Sequence, residues 1–139
     1  MLAEAKFARA FGHAFLLRRY GYFWDINSPL GPIIRLEPSS ISNNSMGRSS
    51  VKESYEKIFE DLDYAIQYGP RFYSKYRSCA TTAKAFKADI LMNRGEEGDY
   101  AEAIRLANEV IASDEFGLED KYEDIFTNGY SSKELMFTR

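Results

Sequence analysis

Apolar residues recur at three- and four-residue intervals in four stretches of the chain. In the first, Ala3, Phe7, Ala10, Ala14 and Leu17 form a stripe widened by Phe11 and Phe15, the spacing of a helix that buries a broad face. Gly21 follows, where a left-handed cap would end the helix. In the second, Val51, Tyr55, Ile58, Leu62 and Ala65 make the stripe, while Lys52, Glu53, Glu56, Lys57 and Glu60 face water. Ser50 with Glu53 reads as a capping box, and Gly69-Pro70 as the stop. The third stretch opens at Thr82 as N-cap and lines Ala85, Ala88 and Leu91 on one face, small enough for a neighbouring helix to approach closely. The fourth opens at Asp99, with Glu102 completing a box, and carries Tyr100, Ala103, Ile104, Ala107 and Ile111. The pattern predicts an all-α core with helices near 3–20, 51–68, 83–94 and 100–113, the last two antiparallel. Leu62 and Ile104 sit mid-stripe and are expected to be buried.

Between these stretches the periodicity stops. A long loop over about 21–49 is marked by Pro29, Gly31, Pro32, Pro38 and a Ser/Asn-rich run to Ser45, and loops of that length are usually functional or disordered. Residues 71–80 form a polar, aromatic connector. Beyond Ser113 the pattern loosens into two possible helical turns, the tight turn Asn128-Gly129 and an apolar run, Leu135-Met136-Phe137, that reads as a minor strand.

Four blocks carry a family resemblance. They are Ala3 to Phe11 running on through Leu16-Leu17-Arg18-Arg19-Tyr20-Gly21; Arg48-Ser49-Ser50-Val51 with Asp61-Leu62-Asp63-Tyr64-Ala65-Ile66; Thr82-Ala83-Lys84-Ala85 running to Gly95; and Glu134-Leu135-Met136-Phe137. In this order they resemble the SusD/RagB family, surface glycan-binding lipoproteins of Bacteroidetes outer membranes. The string Gly98-Asp99-Tyr100-Ala101-Glu102-Ala103-Ile104 is similar to the join between the helices of a tetratricopeptide repeat. One copy is visible, and a solenoid needs about three to stand alone. The resemblance implies an irregular helical bundle with a tetratricopeptide-like helix-turn-helix pair at about 82–113. It further implies that residues 1–139 are a single helical segment of a larger SusD-like domain. Helical periodicity already running at Ala3, and an apolar run stopping just before Arg139, agree with a fragment. Two departures from the family pattern stand out. Tyr22-Phe23-Trp24 is bulky where a short turn with an early proline is common, and Asp89 stands where a basic residue is frequent.

Composition narrows the chemistry. Apolar residues make up 45% and charged residues 28%, which fits a packed globular chain and argues against disorder. A net charge of −3 leaves no basic field for nucleic acid. No run is long enough to span a bilayer, and no signal peptide or lipidation site opens the chain. His13 is the single histidine, flanked by Gly12 and Ala14 on a helix, and reads as a packing or surface residue rather than a catalytic base. Cys79 is the single cysteine and has no visible activating partner. No His/Cys pair has zinc spacing, the acids at 96–99 and 119–124 lack the alternation of a calcium loop, and no phosphate cradle is present. Acids are plentiful, but none pairs out as the two carboxylates of a glycosidase. The chain reads as non-catalytic, with no cofactor and no metal.

A glycan binder needs flat aromatic faces for sugar rings, with amides and carboxylates beside them for hydroxyls. Tyr22, Phe23, Trp24, Asp25 and Asn27 supply those types in one loop, and Tyr73 and Tyr76 supply more in the connector. Against this stands a plainer reading, here the favoured one: an aromatic run just after a helix packs under the following loop, with Trp24 as a core anchor. The resemblance implies capture of an oligosaccharide such as starch for nutrient uptake at the cell surface, beside a TonB-dependent transporter of the SusC type. The alternative is a tetratricopeptide-type scaffold for protein partners, and a helical glycoside hydrolase is a distant third.

Overall fold

The computed structural model describes residues 1–138, and its regular structure is entirely helical. The elements are α1 (Leu2–Tyr20), α2 (Val51–Tyr68), α3 (Ala80–Arg94), α4 (Asp99–Ile111) and a short α5 (Tyr122–Asn128), followed by a 3-10 turn over Gly129–Ser131. Helices α1, α2 and α3 enclose the main core, and α4 lies on the outer side of α3.

Ion pairs and rings fix how the helices run. Asp61 in the second half of α2 meets Lys6 and Arg9 in the first half of α1, at 2.9 and 2.6 Å. Since Tyr20 at the far end of α1 reaches Arg48 just before α2, the two helices are antiparallel. The α3–α4 pair is antiparallel as well: Arg94 meets Asp99 across the turn, and Lys84 meets Glu109 (2.8 Å) at the other end. Arg94 also lies over the Phe59 ring, 4.7 Å from its centroid, so one guanidinium joins α2, α3 and α4.

The α2 stripe is buried as the pattern requires, with Val51, Ile58 and Leu62 wholly inaccessible. Its capping box is present, with Ser50 Oγ accepting from Glu53 N–H and the Glu53 carboxylate accepting from Ser50 N–H. Other local expectations need correcting. Cys79, not Thr82, caps α3: its Sγ accepts from Thr82 N–H at 3.3 Å, while Thr82 is buried inside the first turn. Asp99 does not box with Glu102. It is buried and accepts from Arg94 and from Glu96 N–H instead. Gly21 and Gly69 end their helices in extended conformations rather than left-handed ones. A Cβ at Gly21 would stand 2.9 Å from the Leu17 carbonyl oxygen, so close approach to the backbone is what requires glycine there.

The stripe of α1 is buried but not widened as expected. Phe11 and Phe15 remain 38% and 50% exposed, whereas His13 is buried. The cause is Asp61, which draws the Lys6–Arg9–His13 flank onto α2 and turns the Phe11–Phe15 flank outward. Burial, and after it the Arg9 charge, hold the His13 pKa below its usual range. Burial alone would push Asp61 up, but its hydrogen bonds from Arg9 and Lys6 outweigh that and keep it low.

The expected C-terminal strand is absent among the described residues. Residues 135–137 lie beside no sheet edge, and Phe137 instead packs edge-on against Phe7, 5.5 Å between centroids. A single backbone bond, Thr138 N–H to Lys75 C=O, holds the segment to the connector. Phe137 closes the core and Met136 lines an open cleft, so the segment pairs in no ladder.

The largest departure is on α4. Ala103 and Leu106 are buried, yet Tyr100, Ile104 and Ile111 are exposed. The apolar surface of this helix is wider than one neighbour can cover, and α3 takes only the half carrying Ala103 and Leu106. Leu106→Ala is therefore expected to cost about 2–5 kcal/mol, against well under about 1 kcal/mol for Ile104→Ala. Urea midpoints of the two variants check this ranking, and an equal loss in both would contradict the assigned face.

Candidate ligand-binding surface

The chain leaves α1 at Gly21 and enters two consecutive turns. Asp25 N–H donates to Tyr22 C=O at 2.9 Å, Ser28 N–H to Asp25 C=O at 3.0 Å, and Asp25 Oδ1 accepts from Asn27 N–H at 3.1 Å. The Asx bond from Asp25 is a common turn-forming device. The loop is tied at both ends: Tyr22 N–H donates to Leu30 C=O, and Val51 N–H, at the start of α2, donates to Ser28 C=O.

Arg48 fastens the return of the loop. Its guanidinium donates to the carbonyls of Gly31 (2.7 Å), Tyr20 (2.8 Å) and Leu30 (3.0 Å). The Tyr20 bond also satisfies a carbonyl left unpaired at the end of α1. At Gly31 a Cβ would lie 2.7 Å from the Ser49 and Ser50 carbonyl oxygens, so the two strands of the loop pass at backbone contact. Sequence reasoning had Arg48 only as part of a family block. The available signal was a lone arginine after a Ser/Asn-rich loop full of carbonyls and with no acid at helical spacing.

On this frame the aromatic run splits. Phe23 turns inward and packs on the main core together with Ile26, and its carbonyl accepts from Tyr55 Oη at 3.0 Å. Burial raises the Tyr55 hydroxyl to about 12, so it stays a donor. Tyr22 and Trp24 turn outward, 49% and 65% exposed. Their rings stack at 5.1 Å between centroids with planes 22° apart, and Phe23 meets Trp24 edge-on at 5.2 Å. The expectation that Trp24 anchors the core is thus corrected: Phe23 is the anchor, because the turn at 22–25 sends neighbouring residues to opposite sides. Asp25 and Asn27 are exposed beside the pair, and among the described residues the Asn27 side-chain amide bonds no protein group.

Tyr73 and Tyr76 lie elsewhere. Both are exposed, but Tyr73 Oη donates to Glu4 at 2.9 Å and the Tyr76 ring lies 6.1 Å from Tyr130. Glu4 is in the first turn of α1, and Tyr22 follows its last. At 1.5 Å per residue the two groups are about 27 Å apart along the helix, so they do not form one surface. Asp89, the other departure from the family pattern, bridges α3 to α1 through Arg18 at 2.6 Å.

Among the described residues no three His, Cys, Asp or Glu side chains converge as a metal site, and no helix is long and apolar enough to cross a membrane. An open cleft of ≈ 420 Å³ lies between Val110, Ile111, Phe116, Leu118 and Met136. Its lining is almost wholly apolar, with Glu134 the single acid, so it offers few groups to hydrogen-bond a polar ligand.

Residues 1–91 match the SusD-like family described as starch-binding and associating with the outer membrane. The chain belongs to the SusD-like family. Solved structures agree over nearly the whole length. A SusD superfamily protein from Bacteroides thetaiotaomicron superposes with a TM-score of 0.83 at 25% identity, over 97% of this chain and 30% of that one. A SusD-like protein from Bacteroides fragilis gives 0.75 at 29% identity, over 97% and 26%. A third, solved with xylogluco-oligosaccharide, gives 0.78 at 24% identity, over 97% and 28%, and shares the fold. This SusD-like chain therefore spans less than a third of the length of each of these structures. No curated protein matches the sequence.

Two predictions follow from the geometry. Phe23→Ala is expected to lower the melting temperature by several degrees, while Trp24→Ala leaves it within about 2 °C, since only the former opens the core. Thermal melts of both variants test the inward–outward split. The second concerns Glu4, which the Arg77 guanidinium (2.6 Å), with Tyr73 assisting, lowers from 4.5 to about 2. A carboxylate depressed in the folded state stabilises the fold fully above pH 4.5 and loses that contribution as pH falls from 4.5 towards 2. Glu4→Gln should flatten the stability–pH curve in that window and leave its slope above pH 6 unchanged, as read by urea unfolding across pH 2–7.

Proposed function

We propose that this SusD-like chain contributes to non-catalytic capture of oligosaccharide at the bacterial outer membrane, with Tyr22 and Trp24 as the contact surface. The observation that carries the proposal is the outward-facing stacked pair on a loop pinned at Tyr22, Ser28 and Gly31. A π face attracts the weakly positive C–H groups on the flat side of a sugar ring. A platform already ordered in the free protein loses little entropy on binding. Asp25 and Asn27 stand beside it to bond hydroxyls. The family's starch-binding description, and the relative solved with xylogluco-oligosaccharide, support glycan as the ligand class.

In this reading residues 1–139 are the helical part of a larger SusD-like domain, α3 and α4 form its tetratricopeptide-like pair, and a TonB-dependent transporter of the SusC type receives the sugar for uptake. Tyr73, engaged with Glu4, and Tyr76 form a separate surface outside the proposed site. Isothermal titration with maltoheptaose and with a xyloglucan heptasaccharide tests the proposal. Trp24→Ala should weaken binding at least about tenfold with its melt unchanged; undiminished affinity in that variant would remove Trp24 from the site.

One observation favours a second reading, a protein-binding scaffold. The exposed Tyr100–Ile104–Ile111 face of α4 has the spacing with which helices pack on helices. Glycan affinity unchanged in Ile104→Glu, but lost in Trp24→Ala, would separate the sugar surface from that face.

A further inference from the structure

We propose that the furrow between α1 and α3 is a binding site for elongated aromatic monocarboxylates, with Arg19 holding the carboxylate. The site is separate from the Tyr22–Trp24 surface and does not rest on the glycan-binding reading.

The furrow follows from how the helices are held. Helices α1 and α3 both pack on α2 but hardly on each other, and the Asp61 cluster turns the Phe11–Phe15 flank of α1 outward. Rings rather than backbone then fill the gap: Phe11 meets Phe86 of α3 at 5.1 Å and Phe137 at 6.3 Å between centroids. Two hollows remain, joined at Phe11 and Phe86. One, of ≈ 140 Å³, is lined by Phe11, Ala14, Phe15, Arg18, Arg19 and Phe86. The other, of ≈ 370 Å³, continues over Phe7 and Phe86 to Thr82, Met136 and Phe137, with Asp89 and Glu134 as its acids. From Phe7 to Arg19 the α1 wall runs about 18 Å at 1.5 Å per residue, so the ligand it suits is long. Phenyl walls take a second aromatic system face-on or edge-on.

Charge selects the ligand class. Arg18 is bonded to Asp89 at 2.6 Å, which neutralises that acid. Arg19 is exposed and, among the described residues, has no hydrogen-bond or ion-pair partner; it lies over the Phe15 ring, 5.3 Å from the centroid. A guanidinium resting on a ring keeps its N–H donors for an anion, and its fork matches the two oxygens of a carboxylate. Beside apolar walls that pair is screened less than in open water. Glu134 lines the second hollow but not the first. A carboxylate at the Arg19 end is therefore attracted, and a second one at the opposite end of the ligand meets like charge.

The test is titration of the 139-residue chain with naphthalene-2-carboxylate, the uncharged naphthalene-2-carboxamide and naphthalene-2,6-dicarboxylate, read by amide chemical shifts. The expected result is saturable shifts at Phe11, Arg19 and Phe86, with the monocarboxylate bound at least about tenfold more tightly than either other probe. Raising NaCl from about 50 to about 500 mM should weaken the monocarboxylate and leave the carboxamide unchanged. In Arg19→Gln the monocarboxylate should fall to the carboxamide's affinity, whereas Arg19→Lys, which keeps the charge, recovers part of the loss. Lys57→Gln, which removes a positive charge from the outer face of α2, should change nothing. Thermal melts confirm that each variant is folded; should Arg19→Gln not fold, the acid–amide gap and its salt dependence in the parent decide. Equal affinity for acid and amide, undiminished acid binding in folded Arg19→Gln, or no saturable shift along the furrow overturns the proposal. The glycan titrations above stand or fall separately, since they read Trp24.

Discussion

One buried carboxylate sets the frame of this molecule. Asp61 is almost wholly inaccessible and takes three hydrogen bonds from Lys6 and Arg9. An unpaired charge at that depth is strongly unfavourable, so α1 is held to the register on α2 in which both cations reach it. The ion cluster adds this register requirement to the packing of the α1 stripe. Arg9 extends its reach by donating to the Leu36 carbonyl, which ties the long loop to the same point.

Fixing α1 fixes where its far end delivers the chain. Gly21 passes against Leu17, Arg48 clamps the carbonyls around it, and Phe23 locks into the core below. Tyr22 and Trp24 then project outward with no freedom to collapse inward, since Phe23 already fills the inward position. The pair is a consequence of helix register at one end and core packing beneath. Two stacked aromatic rings held outward on one tied turn make a contiguous exposed apolar patch, the kind of surface that marks a contact site. That is the physical ground for reading it as a contact surface.

The far side of the molecule shows a different economy. Beyond α3, the helix α4 buries half of its apolar surface and leaves Tyr100, Ile104 and Ile111 in water, next to the apolar cleft at Val110 and Phe116. The solved SusD-like structures are more than three times as long as this chain. Their shared fold with these 139 residues shows that the helical segment keeps its architecture across widely diverged sequences.

The sequence by itself determined the helices. Residue spacing placed α1 to α4 within a few positions, because a buried stripe imprints its 3.6-residue period directly on the order of residues. Ser50 and Glu53 announced their capping box because both partners lie in one turn. The four blocks in order were enough to identify the family. Tertiary structure decided everything that depends on a neighbour. Periodicity gives the width of an apolar face but not how much of it another helix covers, so Ile104 and Leu106 could not be told apart. Asp61, Arg94 and Arg48 act across 52, 35 and 28 residues of chain (61 − 9, 94 − 59, 48 − 20), distances over which sequence carries no local signal. Leu135 to Phe137 read as a strand because apolar runs look alike until a sheet edge is present or absent. Whether Trp24 lay inside or outside turned on Phe23 taking the inward place against the core, where its carbonyl accepts from Tyr55. Two adjacent aromatic residues in a turn compete for one place against the core, and only the fold shows which of them takes it.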